Sequence, residues 1–406
     1  MDFDLDGERR LTDYFDEIGD LLKFKKRRAS FALYAFGLLS EGERKSVEPI
    51  AARTLPDDVD AAHQRLLHFL VDSGWSDRAI RRHAARYAID AMIKREPILT
   101  WILDDTGFLK QGSHSVGVQR QYTGSAGKVT NCQIGVSLSL ATRSERLPVD
   151  FELYLPESWT EDKTRRKEAR IPETLVFKTK PQLALDLIDR AVEDDLPRGL
   201  VLADAAYGNS SDFREQVRRR GFDYAVGVDA TTKVWMVDIR DRRHGDALSV
   251  RELAQRIARK KRGFRRVTWR HGTQARLSAR FAVRRVLPFH DDGWDASTER
   301  ERLWLVCEWP DDETQPTKYY FVATERKLSR RALIRLIKER WKTERVYEEL
   351  KGELGLDHYE GRRYPGWHHH ISAVLCCYAF VVAERVRRFP PSARRQTSDD
   401  PIALAA

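Results

Sequence analysis

Cysteine is scarce in this chain of 406 residues: Cys132, Cys307, Cys376 and Cys377 are the four, with no CxxC pair and no zinc-ribbon spacing. That excludes a disulfide framework or structural zinc site and reads as small buried hydrophobes in a reducing compartment. Long apolar runs are missing as well. No stretch approaches the roughly 18–20 uninterrupted apolar residues of a membrane span. The opening MDFDLDGERR is acidic and lacks the apolar core of a secretory signal. The expectation is a soluble, cytoplasmic protein that engages no membrane. No internal repeat is visible.

Acid is in deficit: 72 Lys and Arg stand against 62 Asp and Glu, a formal charge of +10. Such a balance favours a polyanionic partner, nucleic acid before an anionic membrane surface. The deficit is steepest between Leu253 and Arg285, where twelve Lys or Arg occur without one acid and Phe264, Trp269 and Phe281 are interleaved. Arg259, Lys260, Lys261 and Arg265 of this run suit a phosphate backbone. Trp269 either stacks on an unpaired base or packs a small core. What the chain has in quantity is apolar residues, 41% with seventeen Phe and ten Trp, enough for cores in two or three domains.

Residues 1–95 read as a helical domain, with apolar spacing in Phe31, Tyr34, Leu38 and in Leu66, Leu67, Leu70. Ser40 with Glu43 resembles a capping box that opens a short helix. Basic clusters at Lys25–Arg28 and at Arg78, Arg81, Arg82 and Arg86 fit a DNA-binding face or a solvated one. From residue 96 the pattern is strands: Ile98–Leu103 ending in Asp104-Asp105, then Val116–Tyr122, Cys132–Leu140 and Val149–Tyr154, an expected antiparallel meander. A β-α-β rhythm follows to residue 229: helix Pro181–Val192, strand Gly199–Ala203 ending in Asp204, helix Ser211–Arg220, strand Phe222–Val228. Residues 230–325 are β-rich and basic. Residues 326–388 hold a long helix capped by Ser329 and closed by Gly355, then a last helix over Trp367–Arg388. The tail, 389–406, reads as disordered.

Three acids stand out. Asp105 and Asp204 end strands beside apolar runs, and Glu344 lies in the long helix. Such carboxylates are costly unless paired or ligating a cation, and three together can hold two hard divalent ions for phosphoryl displacement. Each alone has a plainer reading, as a turn residue, a helix cap or a solvated ion-pair partner. On one face of the helix, Arg340, Glu344, Tyr347 and Lys351 form a row that suits a metal carboxylate flanked by phosphate-binding cations. His368-His369-His370 point in different directions on a helix and do not make a joint metal site.

Here the sequence resembles the DDE transposases of bacterial insertion sequences, in the branch with a YREK signature. Arg340-Trp341-Lys342-Thr343-Glu344-Arg345-Val346-Tyr347 followed by Lys351 is similar to the third-acid motif. Leu103-Asp104-Asp105-Thr106-Gly107-Phe108, with Lys110 and Gln111 behind it, and Val201-Leu202-Ala203-Asp204-Ala205-Ala206-Tyr207-Gly208 are similar to the motifs of the first two acids. Ile337 stands where the signature tyrosine is expected. Asp104 and Asp105 compete for the first position. Strand alternation and the Thr that follows the family's acid both select Asp105.

The resemblance implies an α/β, RNase H-like core: a mixed five-stranded sheet with flanking helices, completed by 96–229 and 326–388 and interrupted by a β-rich insertion over 230–325. It implies Asp105, Asp204 and Glu344 as ligands of two Mg²⁺, with Mn²⁺ able to substitute. It also implies cleavage at transposon ends, joining of the 3′-OH to target DNA, and a dimer on double-stranded DNA at the bacterial nucleoid. Lys110, Arg120, Arg340, Tyr347 and Lys351 are the expected DNA contacts near the cut, and Arg259, Lys260, Lys261, Arg265 and Trp269 those at the transposon end. One rival is a transposase-derived protein that binds DNA and no longer cuts. Another, a two-carboxylate glycosidase, conflicts with the basic charge.

Overall fold

The structure, a computed structural model, describes residues 5–238, 243–271, 276–289, 301–326 and 328–388. The chain opens with helices α1 (Leu5–Leu22), α2 (Lys25–Leu39), α3 (Val47–Thr54), α4 (Val59–Leu67) and α5 (Asp77–Ile93). Strands β1 (Thr100–Leu109), β2 (Gln119–Thr123), β3 (Lys128–Ala141) and β4 (Arg146–Tyr154) follow, then α6 (Glu157–Thr160), α7 (Lys163–Ala169) and α8 (Lys180–Glu193). Next come β5 (Leu200–Ala203), α9 (Ala205–Gly208), α10 (Ser211–Arg219) and β6 (Tyr224–Val228). The basic region contributes β7 (Lys233–Val237), β8 (Arg243–Ser249), α11 (Val250–Ala258), β9 (Arg265–His271), β10 (Arg276–Pro288), β11 (Leu303–Trp309) and β12 (Lys318–Ala323). Helices α12 (Arg330–Ile337), α13 (Trp341–Leu354) and α14 (Tyr364–Arg388) close the described chain. The expected tail, 389–406, lies outside the described residues.

Two compact units share these elements. The first takes the described residues of Met1–Ile98, Asp104–Pro197 and Lys342–Ser392. Its core is built on α14, which is long and apolar enough to cross a membrane by length and composition, yet 89% of its most apolar window is buried in the protein. Tyr14, Phe31, Tyr34 and Phe69 of the N-terminal helices are buried in this unit, the apolar side of the spacing seen in the sequence. Ser40 does not open a helix. It ends α2, its hydroxyl donating to the Phe36 carbonyl at 2.7 Å, and Ser46 holds the N-cap position of α3. A serine that satisfies itself on the carbonyl four residues back is withdrawn from capping the next helix.

The expected meander has a different order. In the first unit the strands run β2-β3-β1, with β4 also antiparallel on β3. Chain neighbours β1 and β2 are separated because β3 is buried continuously from Cys132 to Ala141, which demands an interior place in the sheet. The five residues of β2 alternate in exposure and suit an edge. β1 also runs on through both acids to Leu109, so they lie within a strand and not at its end.

The buried histidines of α14 each find separate partners. His369 faces the carbonyls of Leu70 and Trp75, while the Tyr34 hydroxyl donates to His370 Nδ1 at 2.7 Å. His370 Nε2 donates to the Gly355 and Leu356 carbonyls at 3.1 Å each. Burial, the largest influence, pushes His370 down to about 4; the two carbonyls oppose that shift, and Lys110 and His358 add to it. A folded value below the unfolded one means that His370 contributes its full stability above about pH 6.5 and loses it as the pH falls toward 4, up to about 3 kcal/mol. Urea unfolding is therefore expected to weaken steadily across that window, and less so in His370→Gln. A flat profile there would contradict this.

The second unit takes the described residues of Leu99–Leu103 and Arg198–Trp341. Leu99–Leu103 supplies the opening of β1, which pairs parallel with β5 (Trp101↔Val201), and β5 pairs parallel with β6 (Leu202↔Ala225), as the β-α-β rhythm requires. Short α9 rests on the β6 backbone: a Cβ at Gly208 would stand 2.0 Å from the Gly227 carbonyl oxygen, so only glycine fits. The sheet does not stop at β6. Strand β12 adds antiparallel (Tyr320↔Gly227), and β11, β10, β7 and β8 continue in that order, with β9 on β10. This unit's path of strands thus exceeds the five expected.

The long C-terminal helix is broken. Ser329 caps α12, accepting from Ala332 N at 3.2 Å, but a 3-10 turn over Lys338–Arg340 intervenes before α13. Each side of the break is tied within its own unit. Lys338 Nζ donates to both oxygens of buried Glu308 at 2.8 and 3.0 Å in the second, and Lys342 Nζ donates to the Thr142 and Arg143 carbonyls at 2.7 and 2.9 Å in the first. Gly355, at φ +64, closes α13 as expected.

Candidate active site

Asp104 is 8% exposed and the Asp105 side chain 18%. Alternation along β1 sends them to opposite faces of the sheet. The Asp105 backbone N–H donates to Asp104 Oδ1 at 2.9 Å, and Lys180 Nζ, from the first residue of α8, lies 3.0 Å from Asp105 Oδ2. Lys180 is placed by helix-start chemistry: a Thr179–Gln182 capping box fixes the turn, with Pro181 in its first residues.

Helix α13 supplies the opposite side. Glu344, Tyr347 and Lys351 share one of its faces. The Tyr347 hydroxyl is 2.6 Å from Ser137 Oγ on β3. Burial drives it well above the usual phenol range, and the charges of Asp104 and then Asp105 push it further, so it stays a neutral hydroxyl in the field of both acids. Lys351 Nζ donates to the Gly107 carbonyl at 2.7 Å and reaches Ser125 Oγ at 3.3 Å. Burial holds its ammonium below the usual lysine value against the pull of Asp357. Glu344, one turn before Tyr347, is exposed. The first unit therefore gathers Asp104, Asp105, Tyr347 and Lys351, with Glu344 on the same helix face.

Asp204 belongs to the second unit. It follows β5 and caps α9, its Oδ1 accepting from Ala206 N at 2.9 Å. Tyr207 is fully buried, 5.9 Å from the Phe213 ring, and is a core residue. Arg340 also lies in the second unit, in the 3-10 turn and not on α13, so the four-residue row loses its first member. Ile337 is buried on α12. Among the described residues no group of three or more His, Cys, Asp or Glu is placed to hold a metal ion. In kind the donors fit: carboxylate oxygens are what hard divalent ions take, and Asp105 already faces a positive charge.

The basic candidates are spread out. Arg120 is exposed on β2 beside Tyr122, Arg259, Lys260 and Lys261 are exposed after α11, and Arg265 is exposed on β9. Lys110 donates to the Tyr359 carbonyl, and burial lowers its pKa. Trp269 is half-buried, edge-on to Phe281 at 5.8 Å with Lys338 Nζ 4.6 Å above its ring, as a packing residue sits. Sequence reasoning missed a cavity of about 820 Å³ in the second unit. Arg218, Arg285, Arg302, Arg326 and Arg330 line it against Glu301 and Glu325, and Arg285 lies over the Trp304 ring at 4.8 Å. These residues come from α10, β10, the chain leading into β11, the chain after β12 and the start of α12, so no local run betrays them. Sequence reasoning also missed Lys180, whose partner is 75 residues away.

Residues 17–276 match the family described as DDE superfamily endonuclease, and residues 178–380 the one described as transposase DDE domain. The probable transposase for insertion sequence element IS701 of Microchaete diplosiphon is 24% identical over 348 residues, which cover 86% of this chain and 80% of that protein. Among solved structures, one of the piggyBac transposase synaptic complex with hairpin DNA covers 90% of this chain and 66% of its own, at 8% identity and a TM-score of 0.46. This chain spans about two thirds of that one.

Proposed function

The chain belongs to the DDE superfamily endonucleases and to the transposase DDE domain family, and from that premise we propose that it cuts phosphodiester bonds at the ends of a mobile element and joins the freed 3′-OH to target DNA. The observation that carries this reading is the polar set built into a buried sheet: two adjacent acids inside β1 whose charges reach the neutral Tyr347 hydroxyl, with Lys351 of the same helix, which also bears Glu344, donating to the β1 backbone at Gly107. Such a set is costly in a core without a use for it.

Asp105, Asp204 and Glu344 would hold two Mg²⁺, or Mn²⁺ in their place. Bound there, the ions activate the attacking oxygen and stabilise the leaving one. The protein's own part is placement. Lys351 fixes the far end of β1 through the Gly107 carbonyl, and Tyr347 offers a neutral hydroxyl beside the acids. Arg120, Lys110 and Arg340 contact phosphates near the cut, while Arg259, Lys260, Lys261 and Arg265 grip the element's end. The parallel β1-β5-β6 order, with β3 beside β1, supports an RNase H-like core. The chain works as a dimer on double-stranded DNA, in the cytoplasm at the nucleoid.

The test is nicking of a duplex that carries the element's inverted repeats. Strand cleavage that needs Mg²⁺ or Mn²⁺ and leaves a 3′-OH is expected. Salt-sensitive binding without cleavage in either ion would instead favour the rival, a DNA-binding protein derived from a transposase.

A further inference from the structure

Asp105 already has a cation, and it belongs to the protein. Lys180 Nζ stands 3.0 Å from Asp105 Oδ2, with the two side chains 27% and 18% exposed. The lysine stem leaves the capped first turn of α8, and Nζ lies 6.0 Å from the centre of the Tyr154 ring. Lys351, the other ammonium nearby, is committed to the Gly107 carbonyl at 2.7 Å. Burial raises the Cys132 thiol on β3, and the charges of Lys180, Asp105 and Lys351 act on it as well. As a stability device a single lysine pair still open to solvent is weak. A divalent cation on Asp105 would stand close to that ammonium, and the two positive charges repel, so ion binding is easier once the ammonium moves. Lysine can make that move: its charge is a point on a flexible four-carbon stem.

Resting on the reading of Asp105 as a metal acid, the geometry points to Lys180 as a resident counter-ion that neutralises Asp105 in the ion-free protein and competes with the incoming divalent cation. Once displaced, the ammonium lies beside the site where the reading brings DNA, and a phosphate is its natural next partner. Lys180 is thus a positioning residue, and it couples the two ligands. DNA draws the ammonium off and eases ion binding, and by reciprocity the ion strengthens DNA binding.

The experiment is Mn²⁺ binding to the full chain without DNA, followed by calorimetry and by loss of the free-ion paramagnetic signal. Lys180→Met keeps length and stem and removes the charge, and Lys180→Gln is a second variant; unfolding midpoints show which are folded. Both are expected to bind Mn²⁺ roughly fivefold more tightly than the unsubstituted chain. Their affinity should also respond less to added duplex, and binding should vanish in Asp105→Asn. Affinity unchanged or weaker in both lysine variants, with binding still abolished by Asp105→Asn, overturns the counter-ion and leaves the metal reading standing. Binding that survives Asp105→Asn and is lost in Asp104→Asn overturns the assignment of Asp105 and the counter-ion with it. So does the absence of Mn²⁺ binding in all these proteins.

Discussion

Asp204→Asn and Glu344→Gln are each expected to lose strand cleavage by about a thousandfold or more, while holding duplex DNA within about twofold of the unsubstituted chain. Both changes keep shape and remove the negative charge on which a divalent ion depends. The fold should tolerate them. Asparagine caps a helix as well as aspartate, so α9 keeps its bond to Ala206 N, and Glu344 is exposed on α13. Single-turnover cleavage beside a binding titration separates the two effects. Cleavage at the parent rate in either variant would remove that acid from the catalytic set. Weakened binding in step with lost cleavage would show that the residue acts through DNA and not through the reaction.

The second large effect concerns stability. Asp150→Ala is expected to destabilise the chain by about 3 kcal/mol, because it strips the shared partner from the buried Arg81 guanidinium and the part-buried one of Arg190. Arg190 Nε donates to Asp150 Oδ2 at 2.7 Å, and Arg81 Nε lies 2.8 Å from Asp150 Oδ1. The Arg81 side chain is 5% exposed and that of Asp150 12%. Burial alone would lower the arginine pKa values. The fields of Asp150 and Glu152 on Arg190, and of Asp150 and Asp77 on Arg81, override it and hold both above the usual value. Without Asp150 the two cations face each other with less compensation. A pair such as Lys178–Asp186, 41% and 35% exposed, should cost under about 1 kcal/mol when broken. Urea midpoints for the two substitutions measure the contrast, and equal losses would contradict it.

Local pattern carried much of the fold. Apolar spacing found α2 and α4, a last helix was read over most of α14, and the strand-helix rhythm found α8 and put Asp204 directly after β5. What failed was decided at a distance. β1 extends past Asp105, where the sequence alone reads a polar pair as a strand end, and the carboxylate there meets a lysine 75 residues away. β3 separates β1 from β2 because of burial on both faces, which chain order does not express. The helix is interrupted by the 3-10 turn at Lys338–Arg340, and the lysines on either side of it hold partners within their own units; nothing in the intrinsic propensity of that segment marks it. Arg340 therefore left the helix face to which its spacing assigned it. Tyr347 and Lys351 kept theirs, since everything from Trp341 to Leu354 is one uninterrupted helix.

The most direct measurement is diffraction from the chain bound to an element-end duplex, with Mn²⁺ located by its anomalous scattering. The account predicts two peaks, each about 2.0–2.4 Å from carboxylate oxygens, with Asp105, Asp204 and Glu344 all among the ligands. Peaks held by other side chains, or any one of these carboxylates turned away into solvent while DNA is bound, would contradict it.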